Sequence, residues 1–404
     1  MHIKGAISTC ITVQEKRSAQ ISTDFDEIID RSGTSSEKWE RYRGRDIIPL
    51  WVADMDFRSP PAVIEALLRR VSHGVFGYTT PPEELAEAVS ASLLEEFGWP
   101  VEREWIVWLP GLVTGMNVAC RAVGRDGDDV LTSTPVYPPF FSAPRHSLRN
   151  PVTVPLAVKG DRWTLDFEGL EKSLTPRTRL ILLCNPHNPV GRAYDREELS
   201  LLAELCRRYG LFICSDEIHS GLLLAPGRRH TPIATLSPET ACRTITLLAP
   251  SKTFNIPGLG CAFAVIPDQG LRGRFREAMA GIVPAVNALG FTAALAAYRY
   301  GGDWRRELLR YLRGNRALVT NAVARMPGLS MKSVEATYLA WIDTRAAGLK
   351  KPAAFFEAAG VGLSDGEDFG GPGFVRLNFA CPRPLLAEAL ERMERACATD
   401  TDRS

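Results

Sequence analysis

Residues 246–260 read TLLAPSKTFNIPGLG, from Thr246 to Gly260. The apolar run Thr244 to Leu248 predicts a buried strand, which stops at Ala249-Pro250-Ser251. Lys252 follows at once, then a loop carrying Asn255, Pro257, Gly258 and Gly260. A lysine at the end of a buried strand is poorly solvated. Desolvation lowers its ammonium pKa, and the neutral amine then attacks an aldehyde to form a Schiff base. The chain has nine lysines against 39 arginines, and most of the other eight lysines sit in charged or chain-terminal surroundings, among them Lys16, Lys38, Lys172 and the pair Lys350-Lys351. An ordinary surface lysine after a strand is the competing reading. Three further motifs weigh against it.

On either side of this stretch, short apolar strands alternate with amphipathic helices. Strands are expected at 47–52, 105–109, 130–133, 151–158, 179–184, 211–215 and 244–248. Helices are expected from Ser59-Pro60-Pro61 to 73, with Ser59 as cap, and at 82–97, 114–123, 165–174 and 195–209, with a short one at 25–30. The pattern is that of an α/β chain with a mostly parallel central sheet covered by helices on both faces. Ligands bind such sheets beyond the carboxyl ends of the strands. Four unusual polar stretches fall there: TPVYPPF after Ser133, NPHNPVG after Cys184, SDEIH after Cys214 and APSK after Leu248. One site fed by four strand ends is the economical reading.

The pattern changes near Asp303. Helices at 304–326, 352–359 and 384–397 and strands at 338–342 and 374–379 predict a smaller α+β domain. The expected division is a tail at 1–24, an N-terminal segment at 25–72 that joins the small domain, a large domain at 73–302 and the small domain at 303–404.

Composition excludes several classes. A net charge of +1 gives no electrostatic case for nucleic acid or an anionic membrane. The nine scattered cysteines contain no CxxC pair, so they read as core residues of a cytoplasmic protein, and no metal site is expected. The N-terminus lacks a hydrophobic signal core, and the longest apolar stretch, near 289–298, is too short to span a bilayer.

Individual residues suggest chemistry. Asp216 lies one residue beyond a buried strand and needs a cationic or proton-donating partner, which the pyridine nitrogen of pyridoxal phosphate is. A helix cap or salt bridge is the plainer alternative. Asn188, in a rigid turn, can donate to a phenolic oxygen or a substrate carboxylate. Tyr137 suits stacking on a flat ring, or is an ordinary core tyrosine. Pro110 to Gly115 joins a strand to a helix whose first amides make an anion site, and Ser251 can add a hydroxyl. Arg376, in the apolar pattern VRLNFA, suits a bidentate grip on a carboxylate, or a structural ion pair. Tyr78 lies in the loop FGYT.

The ordered set ADMDF, FGYT, VYPPF, NPHNPVG, SDEIH, SKTFN and RLNFACPR resembles the fold-type I pyridoxal-phosphate enzymes of the aminotransferase class I/II superfamily. Within it, the chain is most similar to the cystathionine β-lyase (C–S lyase) subfamily typified by MalY and PatB. The resemblance spans 25 to the C-terminal helix. It implies pyridoxal 5'-phosphate as cofactor, Lys252 as Schiff-base lysine, Asp216 on the pyridine nitrogen and Asn188 at the phenolic oxygen. It further implies Tyr137 stacked on the ring, Leu112 and Val113 as backbone phosphate donors, and Arg376 on the carboxylate of a small amino-acid substrate. It implies a homodimer in which Tyr78 enters the partner's site, beside Lys252 or the leaving group.

Four departures stand out. Ala249 replaces a common serine, and Gly221 a common aspartate. His219 holds the place of a tyrosine in many aminotransferases, and Gly260 that of an arginine. His219 favours the lyase branch, whose reaction is β-elimination from an S-substituted L-cysteine, giving thiol, pyruvate and ammonia. The alternatives are an aminotransferase and an oxygen-consuming decarboxylating deaminase of an S-cysteine conjugate. Relatives resembling MalY also act as regulators through a transcription factor. The pocket for the sulfur substituent is expected from the N-terminal segment, the loop at 282–287 and the partner subunit.

Overall fold

The computed structural model describes residues 23–401. Its centre is a seven-stranded sheet. In spatial order the strands are Ile106–Leu109, Ala262–Val265, Thr244–Leu248, Phe212–Asp216, Thr178–Cys184, Asp129–Thr134 and Asn150–Pro155. Only Ala262–Val265 runs antiparallel to its neighbours; the other pairings are parallel. Asp129–Thr134, Thr244–Leu248 and Ala262–Val265 are buried along their whole length and Phe212–Asp216 along all but its first residue, so these strands do not alternate between a buried and an exposed face. Two apolar clusters pack on the sheet. One joins helix Leu112–Ala122 to its neighbours through Met116, Ala119 and Phe275; the other joins helix Arg196–Arg208 through Leu199, Leu202 and Leu205. Asp195 starts the latter helix with a reciprocal capping box to Glu198.

A second sheet orders Ser330–Met331, Leu339–Asp343, Phe374–Asn378 and Ser364–Asp365, all antiparallel. Helices Gly302–Arg325 and Arg383–Thr401 cover it. The N-terminal segment joins this layer: Ile48–Pro49 pairs in parallel with Val361–Gly362, and Leu50, Met55 and Phe57 enter the same core.

Several expectations fail locally. Residues 25–30 form no helix; Phe25 is instead buried against Phe57, Trp304 and Tyr311. Ser59 does not cap helix Pro61–Ser72, because its hydroxyl donates to the Asn255 carbonyl. Helix Leu112–Ala122 starts two residues early, which puts Leu112 and Val113 in its first turn. The apolar stretch at 151–158 splits at Leu156, and Ala157–Lys159 pairs with Arg162–Thr164 as a hairpin. Strand Ala262–Val265 had no expectation at all. Lys38 does sit among charges, but it is wholly buried.

Candidate active site

The carboxyl ends of the parallel strands open into one cavity of about 360 Å³. Four strands deliver polar groups there. Tyr137 follows Asp129–Thr134, Asn188 follows Thr178–Cys184, Asp216 closes Phe212–Asp216 with His219 beyond it, and Ser251 and Lys252 follow Thr244–Leu248. Leu112 and Val113 line it from the start of their helix, where the first amides have no intrahelical acceptor. Arg376 enters from the second sheet. Tyr78 does not reach this cavity and is fully exposed.

Burial pulls the Lys252 ammonium down to about 8, reinforced by the Arg376 charge and opposed by Asp54 and Asp216. Its Nζ donates to the Ala53 carbonyl at 2.6 Å. Burial likewise lifts the Asp216 carboxyl to about 7, against the Ile218 amide that donates to it at 3.1 Å. Burial and the Lys252 and Arg376 charges push His219 down to about 3, so its ring is neutral. Arg376 is buried, and desolvation lowers it to about 10. It stays charged at neutral pH. Its Nη1 donates to Asn188 Oδ1 at 3.0 Å, and its Nη2 donates to the Trp51 carbonyl at 2.7 Å and Ser364 Oγ at 3.2 Å. Its guanidinium also lies 4.6 Å from the Phe369 ring centroid.

Three of these groups are left wanting a partner. Asp216 has no ion pair with a cationic side chain among the described residues. His219 Nδ1 and Arg376 Nε are buried without a hydrogen-bond partner among them. A protonated pyridine nitrogen matches Asp216. A substrate carboxylate matches Arg376. The amides of Leu112 and Val113 with Ser251 suit a phosphate. The donor set therefore fits pyridoxal phosphate.

The N-terminal segment does contribute to the cavity, as expected, though sequence reading named no residue of it. Val52 and Ala53 line the cavity, as do Cys184, Ile218 and Pro257. ADMDF is held by its main chain: Asn255 accepts from the Met55 amide at 3.0 Å and donates to the Met55 and Phe57 carbonyls at 3.1 and 2.7 Å. Asn378 donates to the Val52 and Asp54 carbonyls, at 2.7 Å each. A backbone acceptor has no side-chain signature. The loop at 282–287 does not line the cavity.

The aminotransferase class I and II family model matches residues 45–393. The chain belongs to that family. Among its class I and II relatives, the cystathionine beta-lyase PatB of Bacillus subtilis is 40% identical over 389 residues, which covers 92% of this chain and 99% of PatB. The crystal structure of OvoB is 48% identical with a TM-score of 0.91, covering 93% of this chain and 99% of that one. Cystalysin from Treponema denticola, whose crystal structure contains pyridoxal 5'-phosphate, is 34% identical with a TM-score of 0.90, covering 94% and 100%.

Proposed function

We propose that this chain is a pyridoxal-phosphate-dependent carbon–sulfur lyase that eliminates a thiol from an S-substituted L-cysteine. The observation that carries the reading is the cavity itself. It gathers a lysine without a carboxylate partner, a buried aspartate without a cation and a buried arginine with an open N–H. When bound, the cofactor supplies an aldehyde for amines and a ring that accepts the electron pair left at Cα. Asp216 would pair with the ring nitrogen, Tyr137 would stack on the ring, Asn188 and His219 would serve its phenolic oxygen, and Leu112, Val113 and Ser251 would hold the phosphate. Arg376 grips the substrate carboxylate and so fixes which Cα bond stands across the ring. Lys252 would take the Cα proton as general base. The C–S bond then breaks, the sulfur leaves as thiol, and water completes the conversion to pyruvate and ammonia.

Transamination is disfavoured. Gly260 stands where many aminotransferases carry an arginine, with φ 57° and a would-be Cβ 3.2 Å from the Pro110 carbonyl, so a side chain is strained there.

We further propose a homodimer in which Tyr78 completes the partner's cavity. Its full exposure supports this, as does the apolar surface of Leu68, Val71, Val75 and Phe76 beside it. A cytoplasmic setting is supported by Cys120, Cys184, Cys206, Cys214, Cys242, Cys261 and Cys381, which are free thiols. Among the described residues no helix is long and apolar enough to cross a membrane. Division into a domain at 73–302 and one at 303–404, the latter joined by 25–72, is supported by the core that 25–57 shares with the second sheet.

The test is product analysis. Purified enzyme meets a simple S-substituted cysteine in air, with no oxo acid. Pyruvate and thiol in equal amounts are expected. An aldehyde that retains the sulfur and forms with CO2 release, or turnover only with an added oxo acid, overturns the assignment.

A further inference from the structure

Ala53 presents one carbonyl oxygen to two side chains. Lys252 Nζ donates to it at 2.6 Å and Tyr338 Oη at 3.1 Å. Both lone pairs are thereby used. We infer that Tyr338 is a positioning residue for Lys252, acting through the Ala53 carbonyl that both side chains share. The inference rests on the reading of Lys252 as the residue that moves the Cα proton.

The phenol is placed with unusual firmness. Tyr338 is fully buried, and its ring meets His219 edge-on with centroids 6.1 Å apart. Thr337, just before it, holds φ 71°, a left-handed conformation that a β-branched residue adopts only under constraint. That constraint is visible. The Thr337 amide donates to the Leu222 carbonyl at 2.9 Å, its hydroxyl accepts from the Leu339 amide at 3.1 Å, and the Phe379 amide donates to the Tyr338 carbonyl at 2.9 Å. Burial holds the phenol far above its ordinary range, so it remains a donor at every working pH.

Two effects on Lys252 follow. A fixed phenol anchors the carbonyl and leaves its second lone pair aimed at the amine. It also draws on the same oxygen, which weakens the carbonyl's hold on an ammonium and favours the neutral amine. The other charged or titratable groups facing Lys252 are Asp54 from the N-terminal segment, Asp216 and His219 from the segment closing Phe212–Asp216, and Arg376 from Phe374–Asn378. All four stay in place when only the phenol oxygen is removed.

The experiment strips the full chain of cofactor and follows recombination with pyridoxal phosphate by its visible band across pH. For wild type the rate rises through a midpoint near 8, as Lys252 loses its proton. In Tyr338→Phe the midpoint rises by about half a unit. The reloaded variant shows kcat lowered roughly tenfold with KM little changed, because the proton acceptor is misaimed. Tyr338→3-fluorotyrosine, isosteric and a stronger donor, moves the midpoint down, and it tests the idea should the Phe variant fold poorly. Tyr298→Phe, whose ring packs on Phe254 and Phe263, leaves the midpoint where it was. A midpoint that stays or falls in Tyr338→Phe overturns the inference. This readout needs no turnover, so it stands apart from the product analysis that tests the lyase assignment.

Discussion

Lys38 is wholly buried and Lys252 half-buried in the cavity wall, yet among the described residues only Lys38 has a carboxylate at ion-pair distance. Lys38 Nζ lies 2.6 Å from Asp56 and 3.7 Å from Asp54, and Arg31 pairs with the same two acids. Burial works to raise the Asp56 carboxyl, but Lys38, Trp39 and Arg31 outweigh it and hold it below the usual range. Lys252 has a carbonyl in place of a carboxylate, and its ammonium falls to about 8. Burial alone does not make a reactive amine; burial without a counter-charge does. The first lysine ties the N-terminal segment down. The second is left able to react.

The largest effect that would sharpen this contrast is at Lys252. Lys252→Ala should lower lyase turnover by at least about 10⁴-fold and remove the visible band of the bound cofactor, measured by steady-state kinetics and absorbance. Lys38→Met should do neither. It should instead cost about 3 kcal/mol in denaturant unfolding, because Asp56 is left buried with less compensation. Loss of the visible band in a folded Lys38→Met protein would break the comparison. Arg376→Lys comes next: it should raise KM roughly 100-fold, since a point charge cannot reproduce the fork on a carboxylate.

The smallest effect is in pH dependence. In cofactor-stripped protein Asp216 sits near 7, against 3.8 for an ordinary aspartate, so the folded state binds the extra proton between these limits. Stability contributed by Asp216 is therefore lost as pH rises through that window. Asp216→Asn should lose less melting temperature than wild type between pH 5 and 7.5, by a few degrees. His187 and His219 titrate alike in both proteins and cancel. Equal losses would show that Asp216 is solvated.

Much of this was legible in the chain. Most buried strands announced themselves as short, nearly continuous apolar runs, and Ile106–Leu109, Asp129–Thr134, Thr178–Cys184 and Thr244–Leu248 each ended within two residues of a proline. Thr244–Leu248 was placed to the residue because Ala249-Pro250 ends it sharply. Ala262–Val265 escaped because Gly260-Leu259 before it reads as turn and no helix separates it from Thr244–Leu248, which a parallel pattern requires. Lys38 misled because Glu37, Glu40 and Arg41 beside it read only as charged surroundings, and only the fold brings Asp54 and Asp56 over it. The same blindness hid Ala53 and Tyr338. Their link to Lys252 runs through a main-chain oxygen 199 positions away in sequence.

The most direct measurement of the central claim is borohydride reduction of the loaded enzyme, followed by peptide mass mapping. The account predicts a single pyridoxyl-phosphate addition, on the peptide that contains Lys252. Addition on Lys38, or on any other lysine with Lys252 unmodified, would contradict it.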